Sequence, residues 1–411
     1  MNYDVAIIGA GVIGALTARE LSRYRLHTVL LEAENDVAMG ATKANSAIVH
    51  AGFDALPGTL KAKFNVKGAA MMADYCKELN VPYKNNGSLV IAFSDAELQT
   101  LKELYDRGIR NGVPDMELLD RDALFDLEPN LAPEACGALR AKSAGIVCPY
   151  ELTIAATENA VVNGVEFKRN SAVTGIESNG DLFTLKTPQG DVVTKYVVNA
   201  AGTHADVIAR MIGDQSVNIR VRSGEYFVLD KAVGNLVSHT IFQCPTELGK
   251  GVLVTPTVDG NLLIGPTATE IEDRDNTATT LEGLNNVKAL ATKSCKLVST
   301  RNAITSFCGC RAHDASNDFV IGPSAVNPRM IHAAGIESPG LSSAPAIAVY
   351  LAHLVASEFD DIAANENFNG ERKDVFRFRH ATDEEKAAAI QPGRSRRLAS
   401  DRRKASDRTF L

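Results

Sequence analysis

The opening of the chain constrains the fold more than any other stretch. "YDVAIIGAGVIGALTARELSRY" begins with an apolar β run, Val5 to Ile8, followed by Gly9, Gly11 and Gly14 in G-x-G-x-x-G spacing. An amphipathic helix pattern continues through Leu16 and Leu21 to Arg23, and a second strand, "HTVLLEAE", ends on Glu32. Strand, glycine turn, helix, strand and an acid about twenty residues on is the fingerprint of a dinucleotide site. Each part has a physical reason. Gly9 permits the tight turn, Gly11 lets main chain approach a pyrophosphate, and Gly14 lets the helix pack on the sheet. The helix N-terminus offers amide hydrogens and the positive end of its dipole. Glu32 accepts hydrogen bonds from ribose hydroxyls, and Ile13 and Ala33 flank these positions as further contacts.

The glycine motif does not choose between NAD and FAD, but the residues after Glu32 bear on it. "ENDVAMGATKANSA" is a loop of small and hydroxyl-bearing residues, including Gly40, Ala41, Thr42, Asn45 and Ser46. Such a loop wraps main-chain amides around a second phosphate and passes close to a flat ring. NAD enzymes usually continue into ordinary βαβ units here, whereas flavoproteins of the glutathione-reductase-like type send this segment under the flavin. The loop runs into "SAIVHAGF", where a single histidine, His50, closes an apolar run. A histidine so placed is either a core residue satisfied by backbone or a working group beside a ligand.

Composition excludes several classes. A net charge of -7 argues against non-specific nucleic-acid binding, which needs basic surface. No stretch reaches the ~18 apolar residues of a membrane span. The nearest, "APAIAVYLAHLVA" from Ala344, is short and carries His353. The N-terminus enters a strand without a basic, cleavable leader, and the seven cysteines are scattered and odd in number. Both features fit reduced thiols in the cytoplasm. Cys308 and Cys310 form a C-x-C pair with no second pair at metal-site spacing, so no metal is expected.

Further along, apolar spacing predicts a helix from Thr59 to Leu79, and Ser94 with Glu97 makes a capping box for another. "TIAATENAVVNG" reads as a helix ending at Gly164, "SAVTGIES" as a strand, and "YVVNAAGTHADVIARMIG" as strand, turn and helix. "GVLVTPTVDGNLLIGPT" is a hairpin closed around Asp259-Gly260. "DFVIG" and "MIHAAG" are strands, and "GIESPGLSSAPAIAVYLAHLV" is a turn into a helix. From Gly393 the chain carries seven Lys/Arg against two Asp and few apolar residues, a composition that cannot bury a core and reads as a disordered basic tail.

"ANSAIVHAGF", "GIVCPYELTIAATENAVVNGVEF", "YVVNAAG", "GEYFVLD", "GVLVTPTVDGNLLIGPTA" and "GIESPGLSSAPAIA" together resemble the FAD-dependent glycerol-3-phosphate dehydrogenase/oxidase group of the D-amino-acid-oxidase-like superfamily. The resemblance spans roughly residues 1–390 and extends to L-2-hydroxyglutarate oxidases. It implies FAD as cofactor and a composite α/β (α+β) fold, with a Rossmann-like FAD-binding domain of glutathione-reductase type interleaved with an antiparallel-sheet substrate domain. The expected division is 1–85, 143–215 and 315–360 for FAD, 86–142 and 216–314 for substrate, and 361–411 as an extension with its basic tail from 393. Longer members continue into a cysteine-rich, iron–sulfur-type domain; here the tail stands where that domain would begin.

The implied reaction is oxidation of the secondary alcohol of sn-glycerol 3-phosphate to dihydroxyacetone phosphate. A base takes the hydroxyl proton as hydride leaves for flavin N5. His50 is the implied base, or else a group that positions substrate or hydrogen-bonds the flavin. Arg311, in "FCGCRAHD", matches the arginine aimed at an anionic substrate group, and Lys250, in "LGKGV", is a second phosphate contact. Ser338 binds substrate. Gly335, Ile336, Gly340 and Leu341 frame the pyrimidine edge of the flavin, while Thr42, Asn45 and Ser46 line its ring. Val173, in a strand, offers main chain to adenine, and Ala201 and Gly202 pass near the ribose and pyrophosphate. His313 and His332 read as structural, while Glu151 and Glu225 are candidate acids or else local caps or ion pairs. The competing readings are a 2-hydroxy-acid oxidase and a flavin-binding subunit inactive without a partner. The electron acceptor, oxygen, quinone or redox protein, is left open, as is peripheral membrane contact.

Overall fold

A strand covered by helices on both faces reads as a continuous apolar run, and Val5 to Ile8 is such a run. In the computed structural model, which describes residues 2–245, 251–372, 376–378 and 381–390, β1 (Asn2–Ile8) is parallel to β2 (Thr28–Leu31) on one side and to the strand Val192–Asn199 on the other. Glu166–Lys168 extends the parallel run beyond β2, and Met330–Ala334 extends it beyond Val192–Asn199. Antiparallel strands Gly175–Asn179, Leu182–Lys186 and Val320–Pro323 complete an eight-stranded sheet. Helices α1 (Val12–Leu21), α2 (Leu60–Glu78), Pro149–Val162 and Gly340–Ala356 share one core, in which Leu16, Met72, Leu152 and Ile347 are fully buried.

The second sheet has nine strands, drawn from residues 88–141 and 219–314. Its longest pairing is Ile219–Leu229 against Ala303–Asp314, antiparallel from Ile219↔Asp314 to Leu229↔Ala303. One pair departs from the antiparallel expectation: Thr240–Gln243 runs parallel to Ser88–Ala92. That pair joins the two chain segments, so no hairpin dictates its direction. A small three-stranded sheet, Ile48–Val49, Gly145–Val147 and Tyr83–Lys84, lies where the chain passes between the larger ones.

Local chemistry explains most element ends. Thr59 is the N-cap of α2 rather than its first residue, its hydroxyl accepting from the Ala62 N–H at 3.2 Å. Ser94 caps Asp95–Asn111 as expected, while the Glu97 carboxylate reaches back to the Phe93 N–H at 2.5 Å. Two elements differ from the sequence reading. The helix expected from Thr153 starts at Pro149, because proline at N1 is preorganised for a helix and the Cys148 sulfur accepts from the Glu151 N–H at 3.4 Å. Val173 is not in a strand; pairing begins only at Gly175↔Lys186, and the preceding main chain bonds instead to the segment after β2, Ser171 N–H to Glu32 O at 2.7 Å. The basic tail from 393 lies outside the described residues. Among those described, no helix is long and apolar enough to cross a membrane.

Gly68 sets the approach of α2 to Gly340–Ala356: a Cβ there would overlap the Ser342 carbonyl oxygen and stand 2.8 Å from the Ser343 Cα. Gly68→Val is therefore expected to destabilise the protein by about 1–3 kcal/mol or more, the cost of overpacking against main chain that cannot yield. Urea denaturation checks this; an unchanged midpoint would show that the helices separate freely.

Candidate active site

The glycine turn follows from close main-chain contacts. Gly9 has φ +102°, its N–H donates to Leu31 O at 2.8 Å, and a Cβ on it would lie 2.5 Å from the Ala200 carbonyl oxygen. A Cβ on Gly14 would overlap the Gly9 carbonyl, so α1 starts directly against the end of β1. Gly11 is the N-cap of α1 and offers no side chain of its own. The Thr42 hydroxyl supplies the cap from outside, accepting from the Val12 N–H at 3.1 Å. Glu32 is buried and ties the turn down: Oε2 accepts from Ala10 N–H at 2.7 Å and Oε1 from Glu34 N–H at 2.9 Å. Burial pushes its carboxyl pKa up, against the pull of those amides. Each oxygen keeps a lone pair for a hydroxyl donor. The turn is thus a cradle that Cβ atoms would fill, at a helix N-terminus, beside an acid, and these residues fit a dinucleotide.

The loop after Glu32 leads to His50. Asn45 spends its side chain on the loop, donating to Thr42 O at 2.8 Å and Ala41 O at 3.2 Å and accepting from Ala47 N–H at 2.8 Å. It shapes the loop rather than presenting its amide to a ring. Both main-chain groups of His50 are held. Its N–H donates to Ser342 Oγ at 2.7 Å, and its carbonyl accepts from Asn65 Nδ2 at 2.6 Å. The half-buried ring lies 5.6 Å from that of Phe242, and Nε2 is 3.3 Å from the Ser338 hydroxyl.

The long strand Ala303–Asp314 closes the site from the second sheet. Gly309, Arg311 and His313 share one of its faces. A Cβ on Gly309 would overlap the Ala44 carbonyl oxygen, so this face lies directly on the small-residue loop. Arg311 Nη2 donates to Thr267 O at 2.6 Å and is 3.4 Å from Ser223 O. Its Nε is buried without a hydrogen-bond partner among the described residues. An unmet buried donor costs about 1–3 kcal/mol, which an anionic ligand at this nitrogen would offset. His313 Nδ1 meets Glu337 Oε1 at 2.8 Å, and Lys61 Nζ meets the same oxygen at 2.9 Å. Ser46 faces the fully buried Tyr226 hydroxyl, whose pKa burial raises.

The structure therefore brings His50 and Ser338 together, and sets Gly9, Gly11, Gly14, Thr42 and Ala201 around one turn. Gly335 (φ +64°), Ile336, Gly340 and Leu341 form the turn and first residues of the helix beside His50. Ala33 and Gly202 are exposed near the cradle, and Val173 lies in the connection that follows Ser171. Lys250 lies outside the described residues. His332, read as structural, meets Asp214 through Nε2 at 3.0 Å; of the candidate acids, Glu151 pairs with Arg377 at 3.1 Å and Glu225 accepts from the Thr280 N–H at 2.7 Å. Sequence reasoning missed Lys61 and Glu337. An acid inside the glycine-rich "GIESPG" is a signal for Glu337, whereas Lys61 looks like any lysine on a helix.

A family model described as FAD dependent oxidoreductase matches residues 4–354. A glycerol 3-phosphate dehydrogenase of Caloramator mitchellensis is 49% identical over 389 residues, covering 95% of this chain and 81% of its own. A glycerol 3-phosphate oxidase of Mycoplasma genitalium is 34% identical over 378 residues, covering 90% and 98%. Among solved structures, the dithionite-reduced L-alpha-glycerophosphate oxidase of Mycoplasma pneumoniae with FAD bound superposes with a TM-score of 0.87 at 30% identity. It covers 92% of this chain and 100% of the other.

Because Gly14 leaves no room for a Cβ, Gly14→Ala is expected to lower the FAD content of the purified protein at least about tenfold, which corresponds to roughly 1.4 kcal/mol of binding. The ratio of flavin to protein absorbance measures it. A full complement of FAD in a folded variant would show that α1 need not sit this close.

Proposed function

We propose that this chain, which belongs to the FAD dependent oxidoreductase family, oxidises the secondary alcohol of sn-glycerol 3-phosphate to dihydroxyacetone phosphate. The observation that carries the reading is a buried arginine Nε, that of Arg311, without a hydrogen-bond partner among the described residues, on the strand that lies against the loop leading to His50. His50 meets Ser338 at the start of the helix Gly340–Ala356. Relatives named for glycerol 3-phosphate at up to 49% identity support the choice of substrate.

In this reading Arg311 receives the phosphate. Its guanidinium presents fixed N–H directions, and the two carbonyls at Nη2 hold its plane. Lys250 is the expected second cation. His50 Nε2 takes the proton of the secondary hydroxyl, beside the Ser338 hydroxyl 3.3 Å from that nitrogen. Bound FAD supplies the two-electron acceptor for the hydride that leaves the carbinol carbon. Gly9, Gly11, Gly14, Glu32 and Thr42 hold the dinucleotide, with residues 1–85, 143–215 and 315–360 as the cofactor half and 86–142 and 216–314 as the substrate half. Reoxidation needs an acceptor, and hydrogen peroxide release distinguishes oxygen from a quinone or redox protein. The cysteines are unpaired thiols, which supports a cytoplasmic setting.

Anaerobic addition of glycerol 3-phosphate is expected to bleach the long-wavelength flavin band. His50→Ala is expected to slow that reduction about 10²–10⁴-fold, the range for losing a positioned base. Arg311→Ala should raise the half-saturating concentration about 10- to 100-fold, from a lost charged hydrogen bond of roughly 1.5–3 kcal/mol, and Arg311→Lys should recover little of it. Bleaching by 2-hydroxyglutarate alone would transfer the function to a 2-hydroxy acid. Bleaching by neither would favour a partner-dependent flavoprotein.

A further inference from the structure

We propose that Glu337 is a positioning residue: clamped by Lys61 and His313, it sets the turn that carries Ser338 and, through it, the orientation of the His50 ring. This rests on the reading of His50 as the base. Glu337 Oε1 receives Lys61 Nζ at 2.9 Å and His313 Nδ1 at 2.8 Å, and the three side chains are 12%, 15% and 6% exposed. Burial alone would raise the Glu337 pKa, but the two partners outweigh it and hold the carboxyl below its ordinary value, so the group is an anion in the fold. A buried anion with two fixed partners has few alternative places to go.

The partners come from separate, well-anchored elements. Lys61 lies in the first turn of α2, whose Leu60 and Lys61 N–H groups donate to the Asp318 carboxylate at 2.8 and 2.9 Å. His313 sits at the end of the long strand, two residues from Arg311 on the same face. Gly335 is pressed against the neighbouring Asp314, where a Cβ would meet the Asp314 Cβ at 2.7 Å. The turn is closed by Glu337 itself, its N–H bonded to Gly335 O at 3.0 Å and its carbonyl to Gly340 N–H at 2.5 Å. Ser338 follows immediately and is exposed, so its place is inherited from Glu337 rather than from packing of its own. The main chain of His50 is fixed by Ser342 and Asn65, and its ring, packed beside Phe242, meets Ser338 at Nε2. The clamp therefore ties the arginine strand, the α2 terminus and the base into one geometry.

The test compares flavin-loaded full-length protein with Glu337→Gln and Lys61→Met. With glycerol 3-phosphate, Glu337→Gln is expected to lower the anaerobic flavin-reduction rate about 10- to 100-fold, the scale of a small misplacement, with the half-saturating concentration changed less than about threefold. Lys61→Met should move it in the same direction by less. A second readout needs no turnover. In protein with isotope-labelled histidine, the His50 imidazole NMR signal, assigned by its loss in His50→Ala, should shift in Glu337→Gln. An unshifted His50 signal together with a reduction rate within about twofold of wild type would overturn the proposal. If Glu337→Gln loses its flavin or its fold, Lys61→Met decides by the same two readouts. If glycerol 3-phosphate fails to reduce the wild type, the functional reading falls, while the His50 signal still decides whether Glu337 orients the ring.

Discussion

Main chain meets main chain where Gly309 crosses Ala44, and the rest of the site depends on that approach. The strand Ala303–Asp314 belongs to the second sheet through its long pairing with Ile219–Leu229, yet one of its faces lies on the loop that leaves the first sheet. A Cβ at position 309 would overlap the Ala44 carbonyl, so the distance between the two halves is set by backbone atoms. Side-chain packing tolerates exchange of similar volumes, but a backbone contact of this kind does not. Once Gly309 is fixed, strand geometry places Arg311 about 7 Å further on and His313 about 13 Å on, both on the same face. The strand thus carries both Arg311, the proposed anion site, and His313, which meets Glu337.

Two buried glutamates at this junction show how partners decide a carboxylate's state. For both, burial is the largest influence and pushes the pKa up. Glu32 has only main-chain amides to answer it, with Glu34 adding repulsion, and its pKa ends above the ordinary value. Glu337 faces Lys61 and His313, and its pKa ends below. Removing a charge from water costs several kcal/mol, and the ammonium of Lys61 together with the hydrogen bond from His313 outweighs it, where neutral amides do not. Glu32 keeps capacity for hydroxyl donors, whereas Glu337 is committed to Lys61 and His313.

The sequence made the cradle legible because the pattern that marks it is local. Gly9, Gly11 and Gly14 are close neighbours, and Gly14 is required by Gly9 within one strand–turn–helix unit, although Gly9 itself is pressed by the distant Ala200 and Gly11 stands beside Thr42. The helix cap at Ser94 was legible for the same reason, whereas Thr59 reads as the first residue of α2 and is its cap. Cys148 was not, because sulfur is outside the usual set of cap acceptors. Val173 was misplaced because its apolar pattern suits a strand, while Ser171, two residues before it, is bonded to Glu32 at the end of β2 and pairing begins only at Gly175. Asn45 looked like a ligand contact, but its amide closes its own loop. The Lys61–Glu337 pair could not be read at all, since the two residues stand 276 positions apart and a helix lysine carries no mark of its partner.

The same reasoning bears on the anion site proposed at Arg311. Its plane is held by the carbonyls of Thr267 and Ser223, which are themselves in or beside strands of the second sheet. Gly224, next to Ser223, leaves the space: a Cβ there would come within 3.0 Å of Arg311 Nη2. The guanidinium is therefore oriented by protein groups alone, and its buried Nε has no hydrogen-bond partner among the described residues. Preorganised donors of this kind act without reorganisation when charge arrives, which is where their advantage over a flexible ammonium lies. Arg311 and His313, the partner of Glu337, lie on one strand, so in the proposed reading the anion's position and the orientation of the base are both referred to a single element.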